Sequence, residues 1–425
     1  MGEVLNLTFM ADEISILFSV LSFAVFLSAG IFSFEYMKHE GHHKRYTIFY
    51  VLAFFVFQAL CFSGNLITFY FFFEMLTLTT FPLVLHNGSR EATMAGLKYL
   101  FYSLCGAYMC LFALYFTESS LAFDKNGAMA GMLASLDPEK IALFTLCVTF
   151  MIFGFGVKAG MFPMHAWLPT AHPVAPAPAS AVLSAVIVKA GVLGIIRSVY
   201  FLFGKDFVKG TSVQTIWMTI TLVTVFMGSM LAYREDVLKK RLAYSTVSQL
   251  SYVLYGLATF TDDGYKGALM QVLAHGFVKC GLFLCAGAII YKTGKTRVSE
   301  LRGIGKQMPV TMVCFTILSL SLIGIPPTGG FVAKWYLAIG SLSSGVSVFD
   351  WLGPVILLVS ALLTAGYLLP VSMRGFFPGS EDENADETEY VKNEANALMN
   401  IPIIAMTVLA VVLGLFPNVV LNFIK

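Results

Sequence analysis

Ile141 to Phe162 reads IALFTLCVTFMIFGFGVKAGMF, with one charge, Lys158, near its end. The hydrocarbon core of a bilayer is about 30 Å thick and takes about 20 residues of helix to cross, so this stretch is long enough to span it. Backbone groups in lipid must find their partners within the segment, and no run in this chain alternates apolar and polar residues at period two. The spans are therefore helices and not barrel strands. Outward from this stretch, about twelve such runs follow one another, at roughly 14–34, 47–63, 66–86, 92–117, 141–162, 174–203, 213–232, 242–260, 265–291, 309–340, 351–373 and 398–423. The expected fold is all-α: a polytopic membrane protein with about 12 transmembrane helices.

Composition agrees. Of 425 residues, 57% are hydrophobic and 12% charged, against about 25% charged in a soluble domain, and the mean hydropathy is +0.78. That excludes an ordinary soluble enzyme, a nucleic-acid binder and a disordered scaffold. The start, Met1-Gly2-Glu3-Val4, lacks a basic n-region, so the first run is expected to stay in the membrane. All seven cysteines fall inside apolar runs, without Cys-x-x-Cys or Cys/His ligand spacing, and read as packing residues. No metal site and no iron–sulphur, haem or flavin motif is expected, so cofactors belong to partner subunits.

If the runs alternate across the membrane, one face collects fifteen Lys and Arg residues, from Lys38 to Lys392, and the other five to seven. The positive-inside rule makes the basic face cytoplasmic and puts both termini outside. The acidic stretch from Glu381 to Glu389 then lies in a cytoplasmic loop before the last helix, as a solvated loop or a partner-docking site.

Six ionisable side chains remain inside the runs: Glu74, Lys98, Lys158, Lys189, Lys279 and Lys334, with His275 as a further titratable group. One lysine at a helix centre costs about 2.5–3.5 kcal/mol on insertion scales, so these groups are expected to face protein, one another or water. Lys98 lies close enough to its helix end to snorkel. The other lysines do not, and burial can bring a lysine to release and take up a proton near neutral pH. Glu74 is the one deep carboxylate, and a lysine partner is expected for it, either as a structural clamp or as part of a titrating row. The fifth and tenth runs each carry a Gly/Pro break beside a lysine, at Gly160 to Pro163 after Lys158 and at Gly324 to Gly330 before Lys334. Such breaks expose carbonyls that tolerate a cation or water, and a matched pair points to an inverted-repeat transporter. His275 and Lys279 share one helix face at i and i+4, while His165 and His172 flank the proline-rich stretch Pro169 to Pro178 and could serve proton uptake.

The run Phe162-Pro163-Met164-His165-Ala166-Trp167-Leu168-Pro169, then His172, Ala175-Pro176-Ala177-Pro178, Ser180 and Val188-Lys189-Ala190-Gly191, resembles the signature of the antiporter-like proton-conducting membrane subunits. These occur in respiratory complex I, membrane-bound hydrogenases and Mrp-type multisubunit cation/proton antiporters. The resemblance covers about residues 10–375 and includes Glu74, the His275/Lys279 pair and the Ile325 to Phe331 break before Lys334. It implies two inverted five-helix repeats, each with a broken helix, around a hydrophilic axis. It divides the chain into N-terminal helices (1–65), a first repeat region (66–205), a second (206–375), and the acidic loop with the last helix (376–425). Carried over by motif, Glu74 would pair with Lys158 and tune it, Lys189 would be the next carrier, Lys279 with His275 would bridge the halves, and Lys334 would release protons outward. Lys158 and Lys334 would be equivalent in the two repeats. Two departures stand out: relatives of this kind usually have fourteen core helices where about twelve are read here, and Gln271 stands where some have a second histidine.

The function so implied is a proton-translocating subunit of a redox-driven complex, partnered by other antiporter-like and small membrane subunits and a peripheral redox module. A Na⁺ or Na⁺/H⁺ translocating subunit and a passive membrane anchor are the alternatives; nothing suggests a quinone-binding redox centre. The few intramembrane carboxylates weigh against a dedicated sodium pocket.

Overall fold

The structure is a computed structural model describing residues 7–135, 137–377 and 391–424. The acidic stretch 381–389 lies outside the described residues. The helices that carry the architecture are α1 (Glu13–Glu40), α2 (His43–Cys61), α3 (Leu66–Val84), α4 (Arg90–Phe116), α5 (Pro138–Lys158), the short α6 (Leu168–Val174), α7 (Ala177–Phe203), α8 (Ser212–Arg234), α9 (Leu238–Ala258), α10 (Asp262–Thr293), α11 (Pro309–Ile323), α12 (Gly329–Leu342), α13 (Phe349–Phe376) and α14 (Ala397–Leu415). Among the described residues, ten of these are long and apolar enough to cross a membrane. The polar helix α9 and the split pair α11/α12 fill the remaining two runs, so every run read from the sequence holds helix.

The layout follows from which helices are apolar all round and which on one side only. The apolar stretch of α7 is wholly buried and that of α10 nearly so, and the other helices pack around this pair. The apolar stretches of α2, α4 and α13 are only one-third buried. Their outer faces present Phe55, Phe101 and Leu362. In water such a surface would drive aggregation; against acyl chains it is matched to its solvent. Close helix approach uses small residues. A Cβ placed on Gly106 of α4 would lie 2.5 Å from the Gly154 carbonyl oxygen of α5, and the reverse contact is equally short.

Both expected breaks are present. α5 ends at Lys158, and Gly160 turns the chain with φ +78° before α6 resumes at Leu168. α11 ends at Ile323 with Gly324 at φ +95°, and α12 begins at Gly329. Pro163, Pro326 and Pro327 lack the N–H that would continue either helix. A third irregularity was not legible: α7 carries π-helical turns at Leu183–Ile187 and Ile196–Phe203, with Lys189 on the α-helical turn between them. Such turns are frequent at functional sites.

The structure corrects the reading of the basic loop residues at two positions. Helix α9 begins at Leu238, so Lys239 and Arg241 are not loop residues but buried in its first turn. Lys239 donates to the carbonyls of Pro173 and Ala175, and Arg241 to those of Glu235 and Tyr367. These charges lock the α6–α7 bend and α13 to α9.

A buried ion pair ties the start of the chain to its centre. Arg197 of α7 donates to both carboxylate oxygens of Asp12, the N-cap of α1, at 2.6 and 2.9 Å, and to Ser15 Oγ at 2.9 Å. Burial opposes the charged form of Asp12, but the hydrogen bonds and charge of Arg197, with the Ser15 donors, outweigh it and hold the carboxyl below its usual range. A carboxyl with a depressed folded-state pKa contributes stability that is present above about pH 4 and is lost as pH falls through the folded value. The thermal midpoint of the purified protein is therefore expected to drop below about pH 4. The Asp12→Asn variant should lack that component in the same pH series.

Candidate functional site

Lys158 is the last residue of α5, where the helix dipole favours a cation. Its ammonium is wholly buried and donates to Thr77 Oγ1 at 2.9 Å, Tyr99 Oη at 2.6 Å and Ser103 Oγ at 3.4 Å. It also lies 4.6 Å from the centre of the Tyr99 ring. An ammonium has three donors, and hydroxyls take all three. The expected Glu74–Lys158 pair is accordingly not closed: no ion pair joins them among the described residues, and Glu74 Oε1 is buried without a partner. Glu74 is three residues before Thr77 on α3, hence on a neighbouring position of the same helix surface. None of the three hydroxyls was singled out from the sequence; serines, threonines and tyrosines are common in apolar runs, and only the packing of α3 and α4 on α5 selects these.

In the centre, Lys189 Nζ lies 3.0 Å from His275 Nδ1 and 3.4 Å from the Ser184 carbonyl. His275 Nε2 is buried and has no partner. Lys279 Nζ donates to the Leu242 carbonyl at 2.9 Å and to Ser245 Oγ on α9. Thus His275 reaches across to Lys189 rather than down its own helix to Lys279, although the i, i+4 spacing places both on one face of α10. Lys189, His275 and Lys279 are each 0–1% exposed, so the lipid-facing alternative is excluded for all three.

Lys334 projects from the first turns of α12 back across the break. It caps the carbonyls of Leu322 (2.7 Å) and Ile323 (2.8 Å), the last two residues of α11, and sits 5.1 Å from the Tyr252 ring centre. Helix C-termini leave carbonyls without intrahelical partners, and a cation there meets both that need and the dipole. Lys158 and Lys334 therefore both sit at the carbonyl end of a helix before a break. Lys158 belongs to that helix, whereas Lys334 belongs to the one after. Between centre and break lies a buried amide pair, Gln271 Nε2 to Gln249 Oε1 at 2.8 Å, with Gln249 Nε2 and Gln271 Oε1 left over.

Of the two uptake candidates, His165 is half-buried and its ring lies parallel to that of Phe162. His172 on α6 is fully buried, neither ring nitrogen has a partner, and its ring lies 4.8 Å from Phe283 on α10. Phe283 is one turn beyond Lys279, so His172 sits about 6 Å along α10 from the lysine. A cavity of about 170 Å³ opens further along, lined by Glu40, Lys239, Thr296 and Ile290 of α10. Lys98 is half-exposed on α4. Among the described residues, no cluster of His, Cys, Asp and Glu could hold a metal ion.

The chain matches the family profile described as "NADH:quinone oxidoreductase/Mrp antiporter, TM" over residues 63–364. Residues 2–47 match one described as "NADH-Ubiquinone oxidoreductase (complex I), chain 5 N-terminus". It is 32% identical over 406 residues to NADH-quinone oxidoreductase subunit N of Desulforudis audaxviator, covering 93% of this chain and 79% of that one. It is 30% identical over 418 residues to hydrogenase-4 component B of Escherichia coli, covering 92% of this chain and 60% of that one. Among solved structures, it superposes with a TM-score of 0.85 and 21% identity on a chain of the membrane-bound sulfane sulfur reductase, an archaeal respiratory membrane complex. That match covers 97% of this chain and 81% of the other.

Proposed function

The chain belongs to the NADH:quinone oxidoreductase/Mrp antiporter transmembrane family, and from that premise we propose that it is the proton-translocating membrane subunit of a redox-driven pump. The observation that carries this reading is the row of hydrogen-bonded lysines, Lys158, Lys189 and Lys279 buried and Lys334 half-buried, with His275 joined to one of them. Every member can hold and release a proton, and the buried hydroxyls and amides between them offer hydrogen-bonding sites to water. Lys158 exchanges between the hydroxyl cluster and Glu74. The carboxylate stabilises its protonated form, and return to neutral hydroxyls favours release. Two repeat regions, 66–205 and 206–375, each contribute one helix break and its lysine. The basic face is cytoplasmic and both chain ends face out. Redox cofactors sit in partner subunits, as do the electron donor and acceptor.

His172 takes up protons from the cytoplasmic cavity for Lys279, with Phe283 between them. His172→Ala is expected to slow proton transport at least about tenfold without affecting electron transfer, whereas His165→Ala should change little. The deciding experiment reconstitutes the complex that co-purifies with this chain into liposomes with a trapped pH dye. Pumping in the Lys158, Lys189 and Glu74 variants is then compared with electron transfer. Intact pumping in Lys158→Ala, Lys189→Ala and Glu74→Gln would sink the reading. Sodium-dependent turnover that survives a protonophore would replace H⁺ with Na⁺ as the cargo.

A further inference from the structure

A row of proton carriers is useful only if it does not drain to the wrong side. Lys189 and Arg197 lie on the same helix, α7, eight residues or about 12 Å apart along its axis. The intervening residues, 190–196, are Ala, Gly, Val, Leu, Gly, Ile and Ile, all buried, with no side chain that could carry a proton. Beyond Arg197 opens a cavity of about 410 Å³, lined by Glu13, Lys125, Asp206, Asp262, Tyr200 and Tyr265 among others. It includes residues from both ends of the chain, Ile14 and Ile424, so it faces the side on which both termini lie.

Along α7, the guanidinium lies between the row and this cavity, whose lining includes Tyr200 and Phe201 of the same helix. It is 0% exposed and is flanked by the rings of Phe123 (5.5 Å) and Phe201 (4.8 Å), with Asp12 on its outer, slightly exposed side. An arginine remains protonated at any physiological pH. It therefore cannot pass on a proton as the lysines can, and its positive charge repels one arriving from Lys189. Fixed arginine charge excludes protons in other membrane pores by the same electrostatics.

We infer that Arg197, held by Asp12 at the end of the dry stretch of α7, is an electrostatic seal that prevents protons on Lys189 from escaping to the cavity beside the chain ends. With that route closed, a proton on the Lys189–His275 pair is left the lateral path toward Lys334. Asp12 and Ser15 are positioning residues in this arrangement: they fix the guanidinium, and the carboxylate on the outer side turns the positive end of the pair toward the row.

The inference rests on the proton-row reading, and its test separates the two. The double variant Arg197→Gln/Asp12→Asn replaces the ion pair by two amides and leaves no unpaired charge. In liposomes holding the complex at rest, with the membrane potential clamped by valinomycin and potassium, an acid pulse reads passive proton leak. The double variant is expected to leak about tenfold faster than wild type, a penalty equivalent to removing one nearby charge. Adding Lys189→Ala should abolish that extra leak. An unchanged leak in the Arg197→Gln/Asp12→Asn complex overturns the seal, as does an increase that survives Lys189→Ala. If that variant does not assemble, Arg197→Lys alone is used: a leak above wild type that Lys189→Ala abolishes supports the seal, because a lysine can pass on the proton that an arginine keeps, and an unchanged leak overturns it. Failure of the row itself would show differently, as normal pumping in Lys189→Ala.

Discussion

Lys158→Met should abolish coupled proton transport, by at least about a hundredfold, while electron transfer by the complex persists. Methionine nearly matches the stem of lysine in length and packs well in apolar surroundings, so the change removes the proton carrier without opening a large cavity. What it leaves is a cluster of three hydroxyls, Thr77, Tyr99 and Ser103. Two of these already have other partners: Thr80 Oγ1 lies 2.7 Å from Tyr99 Oη, and Thr77 Oγ1 lies 3.5 Å from the Phe73 carbonyl. The folding penalty should therefore be modest. Lys158→Arg should not restore pumping, because a guanidinium keeps its proton. The check is the number of protons moved per electron in dye-loaded liposomes. Full pumping in Lys158→Met, or rescue by arginine, would remove Lys158 from the path and leave it a structural clamp.

Gly191→Val is expected to have the largest effect on the fold. Gly191 is two residues after Lys189, where α7 crosses the end of α5. A Cβ there would lie 2.2 Å from the Phe155 carbonyl oxygen, 2.8 Å from the Ala159 backbone nitrogen and 3.2 Å from Lys158 Cβ. The first two are backbone atoms that cannot rotate away. Overpacking of this kind costs about 1–3 kcal/mol for a small addition and more for a branched one. Gly191→Ala should lower the yield of assembled complex and displace Lys158 from its hydroxyls, and Gly191→Val should prevent assembly. Size-exclusion profiles of detergent extracts and thermal midpoints measure both. A Gly191→Val complex that assembles at wild-type yield would show that α5 and α7 do not approach this closely.

The helices were legible because the bilayer allows only one economical solution to the backbone: about 20 apolar residues closed on themselves. The breaks at Gly160 to Pro163 and Gly324 to Gly330 were legible for a related reason, since proline and glycine state their backbone needs locally. The six relay candidates could be listed, from Glu74 to Lys334, because a charge in an apolar run is conspicuous. Their partners could not. Glu74 was expected on Lys158, and Lys158 instead meets Thr77, Tyr99 and Ser103. His275 was read with Lys279, four residues along its own helix, and instead meets Lys189 from a different one.

Asp12 and Arg197 show the same limit from the other direction. Each reads alone as a charge near a helix end, and 185 positions separate them in the chain. Lys239 and Arg241 read as cytoplasmic loop charges and are buried at a helix start. What the sequence determined by itself was local: which segments enter the membrane, where they must break, and which buried groups can carry a proton. What the tertiary structure decided was the pairing of those groups, because a hydrogen bond is set by distances of about 3 Å between helices, and such distances depend on how whole faces pack rather than on neighbours in the chain.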